Sequence, residues 1–365
     1  MNEYGVSTSC WYCSDENVKG HLDRQFNSAV AWDVPLLEGY PYRFFKNHAF
    51  KGSLYGGFFG LVNLGMINAL FNQPKSVVVV HGWGYLTNIL VIIFARLFGH
   101  VVCLRGESPY NQEMLKSKFN RLSKKIMLRY FLFQFVNRFL FIGTQNKEFY
   151  KYYGVKEHQL LFVPYAVDND RFRAAAEKLS RDKNELRIQL GIPSTSKVIL
   201  FSGKYIQKKR PMDLLMAYQM LPIADKSLVM VGDGEKRKEI EAFIHSEQLE
   251  NVILTGFVNQ TEIVKYYAAA DVFVMCSGVG ETWGLSVNEA MNFDLPLVVS
   301  DMTGCSSDLV EAKRNGFVSL VGDVKNLCDS IGHAIGLDGR NGKGIIDTYS
   351  FTTIVNTFKN NFQQY

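Results

Sequence analysis

The chain has 365 residues, of which 47% are hydrophobic and 21% are charged. A single hydrophobic core stops growing at about 250–300 residues, so this length predicts two packed domains. The formal net charge of +5 suits a phosphorylated ligand or an anionic membrane surface, and it is too small to indicate nucleic-acid binding by itself.

Neither a signal peptide nor a membrane span is predicted. Residues 1–13 are polar, and the most apolar run, 89–98, is interrupted by Arg96. A membrane-spanning helix needs about 20 apolar residues. We therefore expect the protein in the cytoplasm, either free or peripherally bound to the inner face of the cytoplasmic membrane.

The six cysteines include one Cys-x-x-Cys pair, Cys10 and Cys13, which would suit redox chemistry or metal binding. In a strand, side chains three residues apart point to opposite faces. No second pair with the spacing of a zinc site follows. We favour buried free thiols in a reducing compartment.

Short apolar runs alternate with helical patterns along the whole chain, which predicts α/β domains with parallel sheets. Strands are expected in the first half at 7–12, 77–80, 101–104, 139–142 and 161–163. In the second half they are expected at 198–202, 228–231, 252–255, 272–275, 297–300 and 317–320. Several are unbroken Val/Ile/Leu runs, typical of strands covered by helices on both faces. Helices are predicted at 212–220, 235–245, 262–269 and 285–292.

A change in composition separates the two halves. Residues 168–184 are charged and poor in large apolar side chains, and Gly191-Ile192-Pro193 then leads into a new strand. We predict an N-terminal domain at 1–167, a linker at 168–190 and a C-terminal domain at 191–345. A last helix, 346–365, is expected to pack back on the N-terminal domain. Two such domains imply a cleft, a common place for ligands.

Two side chains of the first half, His81 and Arg105, end predicted strands. Ligands of open α/β sheets bind at the carboxyl ends of strands. His81 is therefore either a catalytic residue or a hydrogen-bonded histidine at a strand end. Arg105 and Glu107 either form an ion pair that shapes the site or hold an anionic acceptor.

Residues 114–138 form a basic amphipathic pattern, in which lysines and arginines at 116, 118, 121, 124, 125 and 129 alternate with apolar side chains. Such a helix can lie on anionic lipid. Alternatively, its apolar side packs on the sheet and its basic face is solvated.

In the second half, Gly203, Lys204 and Lys209 lie in a loop between a strand and a helix. Gly203 permits a tight turn, and the two ammonium groups can meet one anion. The alternative is a solvated basic loop, which we expect for Lys208 and Arg210. The later turn Gly232-Asp-Gly234 is not a dinucleotide fingerprint, because Arg237 stands where a third glycine would be needed.

The stretch 276–291 follows a buried strand and opens a helix near Gly284. Backbone N–H groups at such a place suit phosphate. Glu281 precedes the helix and Glu289 lies within it, and both can accept hydrogen bonds from sugar hydroxyls. The alternative is a carboxylate that complements the helix dipole together with a surface glutamate.

Taken in order over residues 195–320, these motifs resemble glycosyltransferase family 4. The matching pieces are Gly203-Lys204 with Lys209, Gly232-Asp-Gly234, Gly256-Phe257-Val258, 271–275, Glu281 with Glu289, and Asn315-Gly-Phe317. The first half resembles one branch of the same family at 32–40, 104–108, 142–146 and 163–169. Many relatives have histidine at the position of Arg105.

The resemblance implies a GT-B fold, with two Rossmann-like parallel-sheet domains facing a cleft. The family usually starts with a buried strand, whereas nothing before Tyr4 is strand-like in this sequence, so we expect an N-terminal domain that lacks its first strand. The resemblance also implies a retaining enzyme that moves a sugar from a nucleotide-diphosphate donor to a glycan or lipid-linked acceptor in surface polysaccharide biosynthesis. No metal or other cofactor is expected. A truncated or inactive sugar-nucleotide binding protein is the alternative. An epimerase would lack the Glu281–Glu289 pattern, and a phosphorylase would be much longer.

The family also implies roles for individual residues. Lys204 and Lys209 would neutralise the donor diphosphate and assist its departure, and Glu281 would face the donor sugar. Glu289 would bind the ribose. The remaining donor contacts would come from Gly203, from the backbone at Gly284 and Leu285 near phosphate, and from Gly256, Phe257 and Val258 near the base. Where the family often has arginine, Lys204 keeps the charge without the bidentate geometry.

Overall fold

The computed structural model describes residues 1–16, 22–23, 28–29, 33 and 36–363. The chain forms two compact units. Unit 1 comprises Met1–His21, Pro35–Pro164 and Phe351–Tyr365, and unit 2 comprises Leu22–Val34 and Tyr165–Ser350. Each unit contains its own parallel sheet with helices, which confirms the predicted α/β class. None of the helices in the described ranges is long and apolar enough to cross a membrane.

Four short strands come first in the chain: β1 (Cys10–Tyr12), β2 (Leu22–Asp23), β3 (Ser28–Ala29) and β4 (Tyr42–Phe44). β1 pairs with β4 in a separate two-stranded sheet. The predicted strand at 7–12 is therefore too long, and it does not join the main sheet. One reason is that the backbone N–H of Thr8 donates to the Asn2 side chain, so it is not available to a strand partner.

The main sheet of unit 1 consists of β5 (Val77–His81), β6 (Val101–Arg105), β7 (Arg138–Phe141) and β8 (Leu160–Phe162), all parallel and in that order. Its first helices are α1 (Gly65–Asn72), α2 (Leu86–Leu97), α3 (Tyr110–Met114), α4 (Lys118–Tyr130) and α5 (Thr144–Tyr152). Val91, Ile92 and Ala95 of α2 are buried, at the spacing of one helix face, and they belong to the core of this unit.

The predicted helix at 114–138 is wrong in its extent. The chain there forms the end of α3, then α4, then a short 3-10 turn at Leu132–Phe135, and β7 begins at Arg138. Ser117 sets the start of α4, because its side chain accepts a hydrogen bond from the backbone of Asn120, as an N-cap serine does.

The sheet of unit 2 has six parallel strands: β9 (Lys197–Ser202), β10 (Lys226–Val231), β11 (Val252–Gly256), β12 (Val272–Met275), β13 (Leu297–Ser300) and β14 (Gly316–Ser319). The order is β11-β10-β9-β12-β13-β14. The predicted strands agree to within about two residues. The order changes direction between β9 and β12, and ligands of such sheets bind beside that point, at the carboxyl ends of the strands.

The helices of unit 2 are α6 (Asn169–Leu179), α7 (Lys183–Gln189), α8 (Pro211–Met220), α9 (Arg237–Ser246), α10 (Ile263–Ala269), α11 (Leu285–Met291), α12 (Ser306–Leu309), α13 (Val324–Ala334) and α14 (Lys343–Thr348). Residues 168–190, predicted as a linker, thus carry α6 and α7. The last helix, α15 (Phe351–Phe362), packs Ile354, Phe358 and Phe362 on the sheet of unit 1.

All six cysteines are free thiols. Four are buried, whereas Cys10 and Cys13 are only half-buried.

Candidate active site

The motifs of unit 2 that carry the family resemblance follow the carboxyl ends of four neighbouring strands. Lys204 comes after β9, Gly232 after β10, Phe257 after β11 and Glu281 after β12. Because parallel strands end at one edge of the sheet, their loops lie beside one another there.

Close backbone contact holds the loops after β9 and β10 together. A Cβ atom on Gly232 would lie 2.0 Å from the carbonyl oxygen of Gly203, and one on Gly234 would lie 2.7 Å from that of Tyr205. The φ angles of Gly232 and Gly234 are +137° and +156°, which side chains rarely adopt. The Gly-Asp-Gly turn thus fixes the shape of the loop after β9, residues 203–210, which we call the lysine loop.

Lys209 and Glu281 form an ion pair between the loops after β9 and β12. Lys209 Nζ lies 2.5 Å from Glu281 Oε2, and the two side chains are 15% and 10% exposed. Lys208, expected to be solvated, also approaches this oxygen, at 3.6 Å. Arg210 is likewise not simply solvated, because it pairs with Asp213 at 2.6 Å.

Gly284 is the N-cap residue of α11, in a conformation that requires glycine. Its φ is +107°, and a Cβ atom would lie 2.6 Å from the sulfur of Met275. Leu285, the next residue, is exposed. Ser286 donates a hydrogen bond to the carbonyl of Ser202 at 3.4 Å, which ties the helix to the end of β9.

Glu289 lies within α11, and its carboxylate accepts a hydrogen bond from the hydroxyl of Tyr267 at 2.7 Å. Burial raises the pKa of Glu289 to about 7, although the hydrogen bond from Tyr267 and the charge of Arg171 act to lower it. Tyr267 is fully buried on α10. Its role was not apparent from the sequence, where a tyrosine in a helical apolar pattern looks like core.

Gly256 ends β11 with a φ of +73°, and Phe257 and Val258 follow it, both partly exposed. The two side chains thus follow the sheet edge at which the lysine loop also lies; their contact with a base stays a prediction.

The two predicted residues of unit 1 line a cavity of about 350 Å³. His81 and Arg105 are register partners at the ends of β5 and β6. The cavity is also lined by Gly82, Trp83, Gly84, Gly106, Glu107, Ser108 and Lys124. Lys124, from α4, was not singled out for this site in the sequence.

Charged groups of several elements meet around this cavity. Desolvation by the surrounding protein and the charge of Arg105 lower the pKa of His81, against the effect of Glu107. Lys124 is held by the buried carboxylate of Glu113 at 2.9 Å, which also accepts from Tyr153 at 2.7 Å. An imidazole, two cationic side chains and Glu107 thus line the cavity, and Glu113 holds one of the cations.

Part of this chain is similar in sequence to known glycosyltransferases. Residues 182–338 match the family described as Glycosyl transferases group 1. A D-inositol 3-phosphate glycosyltransferase of Xylanimonas cellulosilytica is 28% identical over 54% of this chain and 48% of its own length. The UDP-Gal:alpha-D-GlcNAc-diphosphoundecaprenol alpha-1,3-galactosyltransferase of Escherichia coli is 26% identical over 69% of this chain and 65% of its own length. The chain therefore spans less than two thirds of either relative.

Solved structures agree on the fold. Anabaena Alr3699/HepE in complex with UDP and glucose superposes with a TM-score of 0.67 at 18% identity, over 89% of this chain and 86% of that one. The lipopolysaccharide outer core galactosyltransferase WaaB gives a TM-score of 0.61 at 15% identity, over 81% and 77%. The fold is the predicted GT-B type with two Rossmann-like units, and the residues that match Glycosyl transferases group 1 lie in unit 2.

Proposed function

We propose that this chain is a retaining glycosyltransferase of family 4 that transfers a sugar from a nucleotide-diphosphate donor to a glycan or lipid-linked acceptor. The observation that carries the proposal is the arrangement in unit 2. The lysine loop, the Lys209–Glu281 pair and Glu289 come together on loops and a helix that follow neighbouring strand ends. The E. coli relative, whose name specifies a UDP-sugar and a lipid-linked acceptor, supports the same substrate classes.

In this proposal the residues act on a diphosphate leaving group. Cleavage of the bond from the anomeric carbon to the diphosphate oxygen leaves negative charge on the diphosphate and an oxocarbenium-like sugar. Lys204 and Lys209 stabilise that charge as it develops, and Glu281 faces the sugar. The acceptor hydroxyl attacks from the face that the diphosphate leaves, and its proton passes to the departing oxygen, which gives retention.

On the donor side, Glu289 binds the ribose hydroxyls, Gly203, Gly284 and Leu285 adjoin the phosphates, and Gly256, Phe257 and Val258 border the base. On the acceptor side, the cavity of unit 1 holds the acceptor, with His81 and Arg105 in contact with it. A role in surface polysaccharide biosynthesis would follow from a lipid-linked acceptor.

A screen of nucleotide sugars tests this function. A donor present at 100 times its dissociation constant stabilises the folded protein by about 2.7 kcal/mol, which a thermal-unfolding assay detects. The stabilising donor is then incubated with membrane lipid extract, and transfer of its labelled sugar is measured. Binding without transfer or hydrolysis would instead indicate a sugar-nucleotide binding protein. If no nucleotide sugar stabilises the chain, the proposal is wrong.

We further propose that α4 docks this protein on an anionic membrane. Its large apolar side chains Phe119, Leu122, Ile126 and Tyr130 are 78%, 58%, 47% and 62% exposed. Their three- and four-residue spacing places them on one helix face. The alternative, in which the apolar side packs on the sheet, does not fit this exposure. Lys118, Lys125 and Arg129 lie on the same helix and suit anionic headgroups.

Vesicle co-sedimentation tests the docking. We expect binding to vesicles with anionic lipid that weakens at high salt. Phe119→Ser should reduce partitioning about tenfold, because a large apolar side chain no longer leaves water. Leu97→Ser, which removes a side chain that is 64% exposed on α2, is the matched control. Absence of binding at both low and high salt would contradict the proposal, as would equal losses in the two variants.

A further inference from the structure

We propose that Tyr267 is a positioning residue that holds the Glu289 carboxylate in place for the ribose of the donor. The inference rests on the proposed function, since it takes Glu289 to be the ribose ligand. The proposed function gives Tyr267, a residue of α10, no contact with the nucleotide-sugar donor.

The environment of Tyr267 fixes its ring. The side chain is fully buried, and its ring centroid lies 5.4 Å from that of Phe293, 5.9 Å from Phe273 and 6.4 Å from Phe172. Aromatic contacts at these distances favour defined ring orientations. The hydroxyl is therefore held at one position, 2.7 Å from Glu289 Oε2.

The direction of this hydrogen bond is also fixed. Burial and the neighbouring Glu289 carboxylate raise the pKa of Tyr267 and outweigh the hydrogen bond with Ser202, which lowers it, so the phenol stays protonated and donates to Glu289. Glu289 Oε2 thereby accepts the hydrogen bond that orients the carboxylate. A ribose hydroxyl can donate to Oε1 of a carboxylate that has already been oriented, so less ordering is left to the binding step.

The same bond controls the charge of Glu289. The titratable groups that act on this carboxylate are Tyr267 of α10 and Arg171 of α6, and both favour its ionised form. Burial opposes them and brings the pKa to about 7. Only the ionised carboxylate accepts at both oxygens, so ribose binding should weaken in acid. Without the Tyr267 hydroxyl, the pKa of Glu289 should be higher, so ribose binding should already weaken at a higher pH.

The experiment compares a nucleoside diphosphate with its 2′,3′-dideoxy counterpart by calorimetry at pH 6, 7, 8 and 9. UDP, GDP and ADP are screened first, and the tightest binder is used. The ratio of the two affinities isolates the ribose contribution, because both ligands carry the same titrating diphosphate. For the unmodified protein, a pKa of about 7 predicts that the ratio rises about tenfold from pH 6 to pH 8.

Tyr267→Phe removes one oxygen atom. If its loss raises the pKa of Glu289 by about one further unit, the ratio falls about fivefold at pH 7 and recovers to within about twofold at pH 9. Tyr266→Phe removes the same atom one position earlier on α10. Its affinity ratio should equal that of the unmodified protein at every pH. Glu289→Gln should make the ratio independent of pH.

Two results for Tyr267→Phe would overturn the inference. One is a Tyr267→Phe ratio equal to that of the unmodified protein at every pH. The other is a loss of the same size at every pH, which indicates a structural role only. Should Tyr267→Phe fail to fold, an unmodified protein whose ratio does not change with pH overturns it as well. If the unmodified protein binds none of the three nucleotides, the proposed function itself fails.

Discussion

Replacing Lys209 by alanine should reduce turnover far more than donor binding. In the ligand-free protein its ammonium group is already compensated by Glu281, 2.5 Å away. A bound diphosphate therefore exchanges one anionic partner for another and gains little ground-state binding. The leaving diphosphate acquires further charge only in the transition state, and interactions made there are the ones that raise kcat.

Typical values for such groups give the expected size of the effects on kcat, donor binding and stability. Removal of one preorganised group that faces developing charge costs about 10²–10³ in kcat, and we expect less than about tenfold in the dissociation constant of the donor. Breaking a fully buried ion pair costs about 3–5 kcal/mol of stability. Here Lys208 stays 3.6 Å from the same carboxylate, so we expect a loss of only about 1–2 kcal/mol.

The assay measures kcat, the dissociation constant of the donor and the urea midpoint for Lys209→Ala and for Lys208→Ala. Lys208 is the matched control, because it is the adjacent lysine and is 37% exposed. Its replacement should change kcat less than about threefold. The reasoning is refuted if Lys209→Ala keeps a kcat within threefold of the unmodified protein, or if both variants lose turnover equally.

Two further predictions concern unit 2. Glu289→Ala should abolish the part of nucleotide stabilisation that depends on the ribose, so that a nucleotide and its dideoxy counterpart stabilise the variant equally in thermal unfolding; a remaining difference would contradict the ribose role. Asp271→Asn should lower the free energy of unfolding at pH 7 by about 2–4 kcal/mol, because the carboxylate pairs with Lys183 at 2.8 Å and Arg187 at 2.6 Å. Burial alone would raise the pKa of Asp271, but these partners lower it. Its contribution is therefore present above the pKa of the unfolded chain and is lost as the pH falls through the lower folded value. Urea unfolding at pH 7 and pH 3 should show the gap between the two proteins narrow in acid, and a constant gap would contradict this account.

The strands of unit 2 could be predicted because fully buried strands consist of unbroken runs of apolar residues. The run at 272–275 is apolar at every position, and all four side chains are buried. In contrast, the segment at 7–12 has the composition of a strand, but its length and pairing depend on Asn2 and on β4. Those partners are specified by tertiary structure, which local propensity does not encode.

The candidate donor residues could be named from the sequence because their motifs follow one another in the order of the family that they resemble. The side chains that they contact could not be named in this way. Lys209 and Glu281 lie on different loops, 72 positions apart, and nothing in either local pattern indicates that they pair. Tyr267 lies 22 positions before Glu289 and reads as an ordinary core residue of α10. Contacts of this kind arise from strand order, which brings the loops after β9 and β12 together.

Helix α4 shows what an amphipathic pattern leaves open. The pattern defines an apolar face and a basic face, but it does not say which one the protein covers. In the structure the inner side carries Leu128 together with Lys124, whose charge is met by the buried Glu113. The outer side presents Phe119, Leu122 and others to solvent.

Exposed apolar side chains with a lysine on the inner side are the reverse of the orientation that the hydrophobic effect favours. Full burial of a large apolar side chain contributes about 1.5–3 kcal/mol, and the exposed side chains of α4 gain only part of it. The inner lysine also requires a dedicated carboxylate. A helix that served only to cover the sheet would gain stability by turning its apolar side inward. Outward apolar side chains with lysines beside them on the same helix are what the proposed docking on an anionic bilayer requires. Because Lys124 of the same helix lines the cavity of unit 1, membrane docking and acceptor binding would then depend on one helix.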